Sequence, residues 1–556
     1  MAILLGIATL SGEQGGCPRT GSAAGIRKLA EAKRWVQVVE ECGELSARSP
    51  EIYYYHGMAL AQLGRWEKAR DVFLAGSRLW PDDARFPVEL GGIAFKQKRY
   101  ADAARWIRRG LSLNPDDSYA TDFLATVYFL QGNLDASLKY WNRVGKPQIQ
   151  RVKVQPGLRI DPVLLDRAFA FAPGGTLLLP DLTVSRTRVR AMQIFPTFAF
   201  RLDAREDGGF DAAFTAYERD GWGDGRLGRA LSILRGAAYQ TVYPEYFNLR
   251  GTATNITSMA RWDPRKRRLS ALLSGPLWRD PGYRYGAGLD FRDERWDLRN
   301  TFKGSAPSLG ALNLRRYAVR GDVASYHSPA WSWSVGGEFS YRDYRNISTG
   351  LDLPHDALSK GYQLKQVAEL RRALLTVPER RFESGLRITS ETGTIRSAPA
   401  HSFERLQASV DARWMPRMTG DDYAIRQRFS AGRILGRTPF DELFMLGLER
   451  DNDLWMRAHI GTRDGRKGSA PLVRRYFLSN WEIDKNLYGN GIVSVKLSPF
   501  LDVSKGADSI AAQGTRKWLW DTGVQAKVRV LGVGFMLVYG KDLRSGNNAI
   551  YVMAER

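Results

Sequence analysis

The chain has 556 residues and carries 82 Lys and Arg against 59 Asp and Glu, which gives a formal net charge of +23. This length predicts several domains, and a composition of 44% hydrophobic and 25% charged residues excludes a mainly disordered chain. Two cysteines and five histidines give no reason to expect a disulfide scaffold, a zinc cluster or a histidine-based metal site. The 55 Gly, 16 Trp, 23 Tyr and 24 Phe favour a β-barrel or sandwich over a helical enzyme.

The amino terminus holds a short apolar run from Ala2 to Leu10. Its length is typical of a signal-peptide core, although no Lys or Arg precedes it. We assign residues 1–22 to an export signal or leader, with ordinary apolar sequence as the alternative. No later run reaches the roughly 18 apolar residues that a membrane-spanning helix needs, so the sequence predicts no such helix.

Residues 23–147 repeat at a fixed period. Three sets of small residues recur 34 positions apart: Gly57, Gly91 and Ala125; Ala69, Ala103 and Ser137; Gly76 and Gly110. Pro81 and Pro115 end two successive units, since proline cannot continue a helix. A helix–turn–helix unit of this length, with small residues where the helices cross, resembles the tetratricopeptide repeat. The segment is expected to be either a concave surface for a protein partner or a spacer that buries only its own core.

Residues 148–222 predict a small α/β module. The pattern indicates a strand over 149–154, a helix from Asp161 to Phe171, a second helix over roughly 185–195, and strands over 196–202 and 210–218. This β-α-α-β-β order resembles a POTRA domain, which implies a periplasmic module that can bind client strands at a sheet edge. The alternative is a packing adaptor that binds nothing.

The period changes to two in residues 247–556, which follow a linker over 223–246. Apolar and polar positions alternate in five clear runs: 283–292, 331–342, 405–414, 493–502 and 518–530. Runs of about 9–12 residues are typical of tilted strands that cross a bilayer, and the Arg and Lys on the polar phase favour a wet lumen. We therefore predict a transmembrane antiparallel β-barrel of about 16 strands. The alternative number is 14, because two of the strands, around 301–312 and 437–455, are not evident.

Three segments carry a family resemblance, and the first is the barrel entry, Tyr243 to Asn248 followed by Ser274 to Pro281. Asp441 to Gly447, followed by Leu454 to His459, is similar to the loop that folds into the lumen of BamA/TamA-like bacterial surface-antigen barrels. Downstream, Pro499 to Ser504 is similar to that family's partner strand motif. The resemblance implies that Arg457 anchors the loop.

The polar phases of the strands place Asp502 and Glu482 toward the lumen, where either can pair with this cation. The chain departs from the family pattern at Ala458, His459 and Ser504, each of which replaces a glycine or an aromatic residue of the family motifs.

The architecture predicts an outer-membrane protein with its amino-terminal domains in the periplasm. Its function would be to assist the assembly, insertion or translocation of other proteins, with no catalytic residues, cofactor or metal. The expected partners are unfolded or exported client proteins, periplasmic proteins that bind the repeats, and outer-membrane lipid. Nucleic acid is not expected, because the basic residues are spread along strands and loops. The alternatives are an exopolysaccharide export barrel, a helper that moves surface lipoproteins outward, and a passive structural or adhesion barrel.

Overall fold

The structure is a computed structural model. It describes the following residues: 22–44, 49–223, 225–299, 308–348, 353, 355–397, 400–417, 423–449, 451–490, 493–509, 517–530 and 533–554. The predicted leader over 1–22 thus lies almost wholly outside the described residues. Contacts divide the chain into two compact units: Met1–Val152 with Ala172–Leu179 and Arg201–Ala212, and Lys153–Phe171 with Pro180–Phe200 and Ala213–Arg556.

The described residues of the amino-terminal region form eight helices, in agreement with the repeat pattern. They are α1 (Ala23–Glu31), α2 (Trp35–Glu44), α3 (Pro50–Gln62), α4 (Trp66–Leu79), α5 (Arg85–Lys96), α6 (Tyr100–Leu113), α7 (Ser118–Leu130) and α8 (Leu134–Trp141). The small residues lie where helices cross: a Cβ on Gly57 would come within 2.3 Å of Phe73, and one on Gly91 within 2.5 Å of Ile107. Glycine at these positions therefore permits the close packing that repeats every 34 residues.

A three-stranded sheet and two helices follow. The strands are β1 (Ile149–Val154), β2 (Thr197–Ala204) and β3 (Phe210–Tyr217), in the order β1-β3-β2, and the helices are α9 (Pro162–Ala168) and α10 (Leu179–Met192). The β-α-α-β-β order agrees with the sequence prediction, and the bounds of β1 match it. The predicted start of the second helix near residue 185 is wrong, because Asn142 Oδ1 accepts a hydrogen bond from Leu179 N at 2.8 Å and caps the helix earlier.

The segment predicted as a linker contains regular structure. It holds α11 (Gly225–Leu234) and two short strands, β4 (Thr241–Val242) and β5 (Glu245–Tyr246), which pair with the first long strand of the next sheet.

The carboxy-terminal region is one antiparallel barrel sheet, β4 to β22. Its long strands are β6 (Asn255–Asp263), β7 (Lys266–Leu277), β8 (Asp280–Arg299), β9 (Ser308–Ser325), β10 (Trp331–Arg345), β11 (Gly361–Val377), β12 (Phe382–Arg396), β13 (His401–Trp414), β14 (Tyr423–Gly436), β18 (Leu472–Gly489), β19 (Val493–Ser509), β20 (Leu519–Val530), β21 (Val533–Asp542) and β22 (Asn548–Ala554). Between β14 and β18 lie three two-residue strands, β15 (Phe444–Met445), β16 (Thr462–Arg463) and β17 (Arg466–Lys467).

The number of long strands among the described residues is 14, the alternative number. Residues 308–312 belong to β9 and 301–307 lie outside the described residues. Within 437–455 the described residues contain only the short strand β15. The two additional strands expected around 301–312 and 437–455 are therefore not found in the described chain.

The two faces of the barrel sheet differ sharply in polarity. On three adjacent strands, Phe339 lies opposite Val319 and Leu364 in register, and their side chains are 55%, 59% and 56% exposed. On the other face of the same strands, Arg342 lies opposite Arg316, and both are buried. The sheet thus carries apolar side chains outward and charged side chains inward, which inverts the usual arrangement of a water-soluble protein.

Candidate functional site

The described residues of the segment between β14 and β18, 437–449 and 451–471, occupy the inside of the barrel. We call this segment the lumen loop. Its side chains or backbone contact residues of nine strands: Lys266 and Arg268 of β7, Arg292 of β8, Arg316 of β9, Arg342 of β10, Lys365 of β11, Glu482 of β18, Asp502 of β19, Asp521 of β20 and Asp542 of β21. Only a segment enclosed by the sheet can reach strands on opposite sides in this way.

Arg457 of the lumen loop lies among the two carboxylates that the sequence singles out. Its Nη2 is 2.6 Å from Asp502 Oδ1 and its Nε is 2.9 Å from Asp502 Oδ2, while Nη1 is 2.9 Å from Glu482 Oε2. Its backbone N–H also donates to Asp502 Oδ2, and its guanidinium lies 3.8 Å from the centre of the Phe500 ring. The structure therefore brings Arg457, Asp502 and Glu482 together, with the cation 2% exposed.

Neighbouring groups complete the hydrogen bonding of this cluster. Asn480 donates to Trp455 O at 2.8 Å and to Asp502 Oδ1 at 2.7 Å. Lys527 pairs with Glu482 and lies 2.9 Å from Asp484. A buried ion pair stabilises only when its remaining donors and acceptors are satisfied, and this network largely meets that condition.

A second cluster lies at the start of the lumen loop, and sequence analysis did not identify it. Glu442 is 5% exposed and accepts from Arg342 at 3.0 Å, Gln363 at 3.1 Å and Lys365 at 3.4 Å, with Arg316 at 3.1 Å. The adjacent Asp441 Oδ1 accepts from the Tyr344 hydroxyl at 2.9 Å.

A third cluster joins the middle of the lumen loop to β7 and β8. Lys266 lies 3.3 Å from Glu449, and Arg268 lies 2.9 Å from Asp451. Lys467, itself in the lumen loop, is 2.9 Å from both Asp451 and Glu294. The partners in each cluster are far apart in sequence. The one available signal was the density of Asp and Glu between 441 and 453, opposite strands rich in Arg and Lys.

His459 lies between two carboxylates at the far side of the same loop. Its Nδ1 is 3.0 Å from Asp521 Oδ2, and its Nε2 is 3.8 Å from Asp542 Oδ2. The Ala458 N–H also donates to Asp521 Oδ2 at 2.7 Å. Ligand atoms of these three side chains lie within 4.8 Å of one another, so this is where the described residues could hold a cation.

The helical repeats present a separate polar cluster. The Tyr54 hydroxyl donates to Glu89 Oε1 at 3.3 Å, and the Arg85 guanidinium lies 5.0 Å from the centre of the Tyr54 ring. Burial raises the pKa of the Glu89 carboxyl, and the hydrogen bond from Tyr54 opposes that shift. Nearby, Tyr119 is 69% exposed, so an aromatic side chain of α7 remains available for contact.

Comparisons with known proteins match these parts separately. The Tetratricopeptide repeat family model matches residues 54–118. Among solved structures, BamA from Haemophilus ducreyi lacking POTRA domains 1-3 is similar, with a TM-score of 0.41, 10% identity, and coverage of 73% of this chain and 83% of that chain. CdiB from Escherichia coli is also similar, with a TM-score of 0.45, 12% identity, and coverage of 74% and 75%. MamA matches with a TM-score of 0.21 and 19% identity over 21% of this chain and 71% of its own.

No curated protein matches the chain. Among the helices of the described residues, none is both long and apolar enough to cross a membrane. The predicted tetratricopeptide repeats are confirmed over residues 54–118. Residues 54–118 are accordingly a tetratricopeptide repeat region, followed by a large antiparallel barrel sheet.

Proposed function

We propose that this chain is an outer-membrane barrel protein that assists the assembly, insertion or translocation of other proteins. The observation that carries the proposal is the lumen loop, which charged pairs hold across the inside of the barrel. A barrel filled in this way does not serve as a simple open channel. Such a barrel, in one chain with a helical repeat region, fits a machine that handles proteins better than one that conducts a soluble polymer.

The outer face supports a membrane location. Phe339 and its register partners form an apolar surface on three neighbouring strands, and such a surface is costly in water but stable against acyl chains. A closed sheet also satisfies the backbone hydrogen bonds that a bilayer leaves unpaired.

The amino-terminal domains would receive the client on the periplasmic side. In the proposed arrangement, the repeats over 23–147 bind periplasmic proteins or the client, and the module over 148–222 acts as a POTRA-like domain. Strands β1 and β2 lie at the two edges of its sheet, so either can pair with an extended client strand. The barrel over 247–556 would then promote insertion, a step that needs no catalytic group or cofactor.

Arg457, Asp502 and Glu482 would act as the anchor of the lumen loop. Removing the cation leaves two buried carboxylates without their main partner, a change that costs about 3–5 kcal/mol for buried pairs. The loop of an Arg457→Ala variant is therefore expected to leave its position more often.

Purified full-length protein in liposomes tests both parts of the proposal. We expect it to accelerate folding of a urea-unfolded outer-membrane barrel added from outside, measured by protease protection of the client. Arg457→Ala should raise ion conductance in planar bilayers. Arg475→Ala is the matched control, because Arg475 pairs with Asp508 on the same barrel while half exposed.

Two outcomes contradict the proposal. Release of trapped dextran without any effect on the unfolded client would favour the exopolysaccharide exporter. If Arg457→Ala conducts no more than Arg475→Ala and the parent protein, Arg457 does not anchor the lumen loop.

A further inference from the structure

His459 is enclosed by carboxylates from two neighbouring strands. Asp521 belongs to β20 and Asp542 ends β21, whereas His459 belongs to the lumen loop. His459, Asp521 and Asp542 are 3%, 0% and 5% exposed. Three side chains with metal-binding chemistry therefore meet at a site closed to bulk water.

The two nitrogens of the ring face different partners. Nδ1 lies 3.0 Å from Asp521 Oδ2, a hydrogen-bond distance that fixes the orientation of the ring. Nε2 lies 3.8 Å from Asp542 Oδ2, which is too long for a hydrogen bond. Bonds to Zn²⁺ are about 2.0–2.2 Å, so nitrogen and oxygen ligands of one ion lie up to about 4.2 Å apart. The gap on the Nε2 side therefore fits a bent N–metal–O arrangement.

A second observation points to a missing partner. Asp521 Oδ1 is buried and accepts no hydrogen bond from the described residues, although Oδ2 of the same carboxylate accepts two. Unpaired buried carboxylate oxygens are costly, so this atom is expected to have a partner beyond the protein side chains. A water bound to a cation beside His459 would satisfy it.

The charge of the surroundings favours a cation as well. Five carboxylates are connected through contacts of Arg457 and its neighbours: Glu482, Asp484, Asp502, Asp521 and Asp542. Within the described residues, the permanently charged groups that pair with them are Arg457, Lys527 and Arg426, the last at 3.1 Å from Asp484. With a neutral His459 the cluster thus has two excess negative charges, and one divalent ion balances them.

We propose that His459 Nε2 and Asp542 bind one divalent transition-metal ion, while Asp521 orients the imidazole through Nδ1 and water completes the coordination. Zn²⁺ is the probe. One imidazole nitrogen and carboxylate oxygens suit Zn²⁺ and its first-row neighbours better than Ca²⁺ or Mg²⁺, which prefer oxygen ligands alone. Because His459 comes from the lumen loop and Asp542 from the barrel wall, the ion would tie the loop to β21 beside Arg457. This site is separate from the proposed handling of clients.

The test uses tag-free, full-length protein in detergent, first treated with a chelator and then dialysed against Zn²⁺. We expect about one Zn²⁺ per chain by elemental analysis and a higher thermal midpoint with Zn²⁺ than without it. Loss of an outer-shell partner typically weakens metal affinity 10–100-fold, so loss of a direct ligand in His459→Gln or Asp542→Asn should weaken it by at least about 100-fold. Asp508→Asn is the matched control, since Asp508 is a half-exposed carboxylate of the same barrel.

Several results would overturn the proposal. One is that the parent protein, stripped of metal by the chelator, binds no Zn²⁺. His459 would then be an imidazolium paired with the two carboxylates. Another is equal Zn²⁺ binding by Asp542→Asn and by the control. If either ligand variant fails to fold, titration of the parent protein with Zn²⁺ and with chelator still decides the question. A thermal midpoint that changes with neither reagent contradicts the site.

Discussion

Glu442 offers the sharpest test of whether charged pairs hold the lumen loop in place. This one carboxylate accepts hydrogen bonds from Arg342 and Lys365 and lies 3.1 Å from Arg316, and all three cations are buried. Glu442→Gln keeps the shape of the side chain and removes its charge. The variant therefore leaves three buried cations with fewer acceptors and isolates the electrostatic contribution.

The expected loss follows from these contacts. A hydrogen bond to a charged group contributes about 1.5–3 kcal/mol, and Glu442 accepts two from cations. The amide oxygen of the new glutamine still accepts one bond, and Asp441 lies 3.4 Å from Arg342. Because one of the two bonds remains, the net cost should be about 1.5–3 kcal/mol, below the roughly 3–5 kcal/mol for a buried pair that loses one partner outright.

Two measurements check this value. Urea unfolding of the barrel in lipid vesicles, followed by tryptophan fluorescence, should show the loss of stability. Planar-bilayer recordings should show higher conductance as the loop leaves the lumen. Glu383→Gln is the control: Glu383 pairs with Arg413 at 3.6 Å but is 61% exposed, so its loss should cost under about 1 kcal/mol.

A double variant separates electrostatics from packing. Combining Glu442→Gln with Arg342→Met removes one of the uncompensated cations, so the pair should cost less than the sum of the single changes. If Glu442→Gln unfolds at the same urea concentration as Glu383→Gln and conducts equally, the charged pairs do not hold the loop.

Three further predictions concern other parts of the chain. Gly91→Ala places a Cβ 2.5 Å from Ile107 and should destabilise the repeats by about 1–3 kcal/mol. In Gly92→Ala the nearest contact of the new Cβ is 3.9 Å away, so this variant should stabilise the repeats by about 0.5–1 kcal/mol. Thermal unfolding, followed by the circular dichroism of the helices, compares the two variants. Burial raises the pKa of Glu89 above its unfolded value, so stability of the repeats falls as pH rises from the unfolded pKa to the folded one. Glu89→Gln should abolish this fall, and equal pH profiles for variant and parent would contradict it. Phe339→Arg should destabilise the membrane-inserted barrel by about 2–4 kcal/mol. The folded barrel should then convert to the unfolded gel band at a lower temperature, and an unchanged conversion temperature would indicate that this face lies in water.

Regular patterns in the sequence predicted the regular parts of the fold. The 34-residue recurrence through Gly57 and Gly91 identified the repeats, because a side chain at either glycine would collide with the facing helix. Alternation over 405–414 predicted a strand that the structure extends to His401–Trp414. In both cases the structure depends on residues close together in sequence, so the sequence alone reveals the periodicity.

The unpredicted features depend on residues that are distant in sequence. The start of α10 depends on a cap from Asn142, 37 positions earlier. Glu442 meets Arg342 from 100 positions away and Lys365 from 77. Arg457 and Asp502 were accessible to prediction because strand phase and the family resemblance both pointed to them. No comparable pattern marked Glu442, whose partners are set by the register of several strands.

The order of charges along the lumen loop matches the distribution of charge around the barrel wall. Acidic residues over 441–451 pair with basic side chains of β7 to β11, whereas Arg457 and His459 pair with acidic side chains of β18 to β21. A loop in the opposite orientation would place Arg457 among arginines and Glu442 among carboxylates. Like charges buried together are strongly unfavourable. The same pairing selects a single orientation of the loop within the barrel.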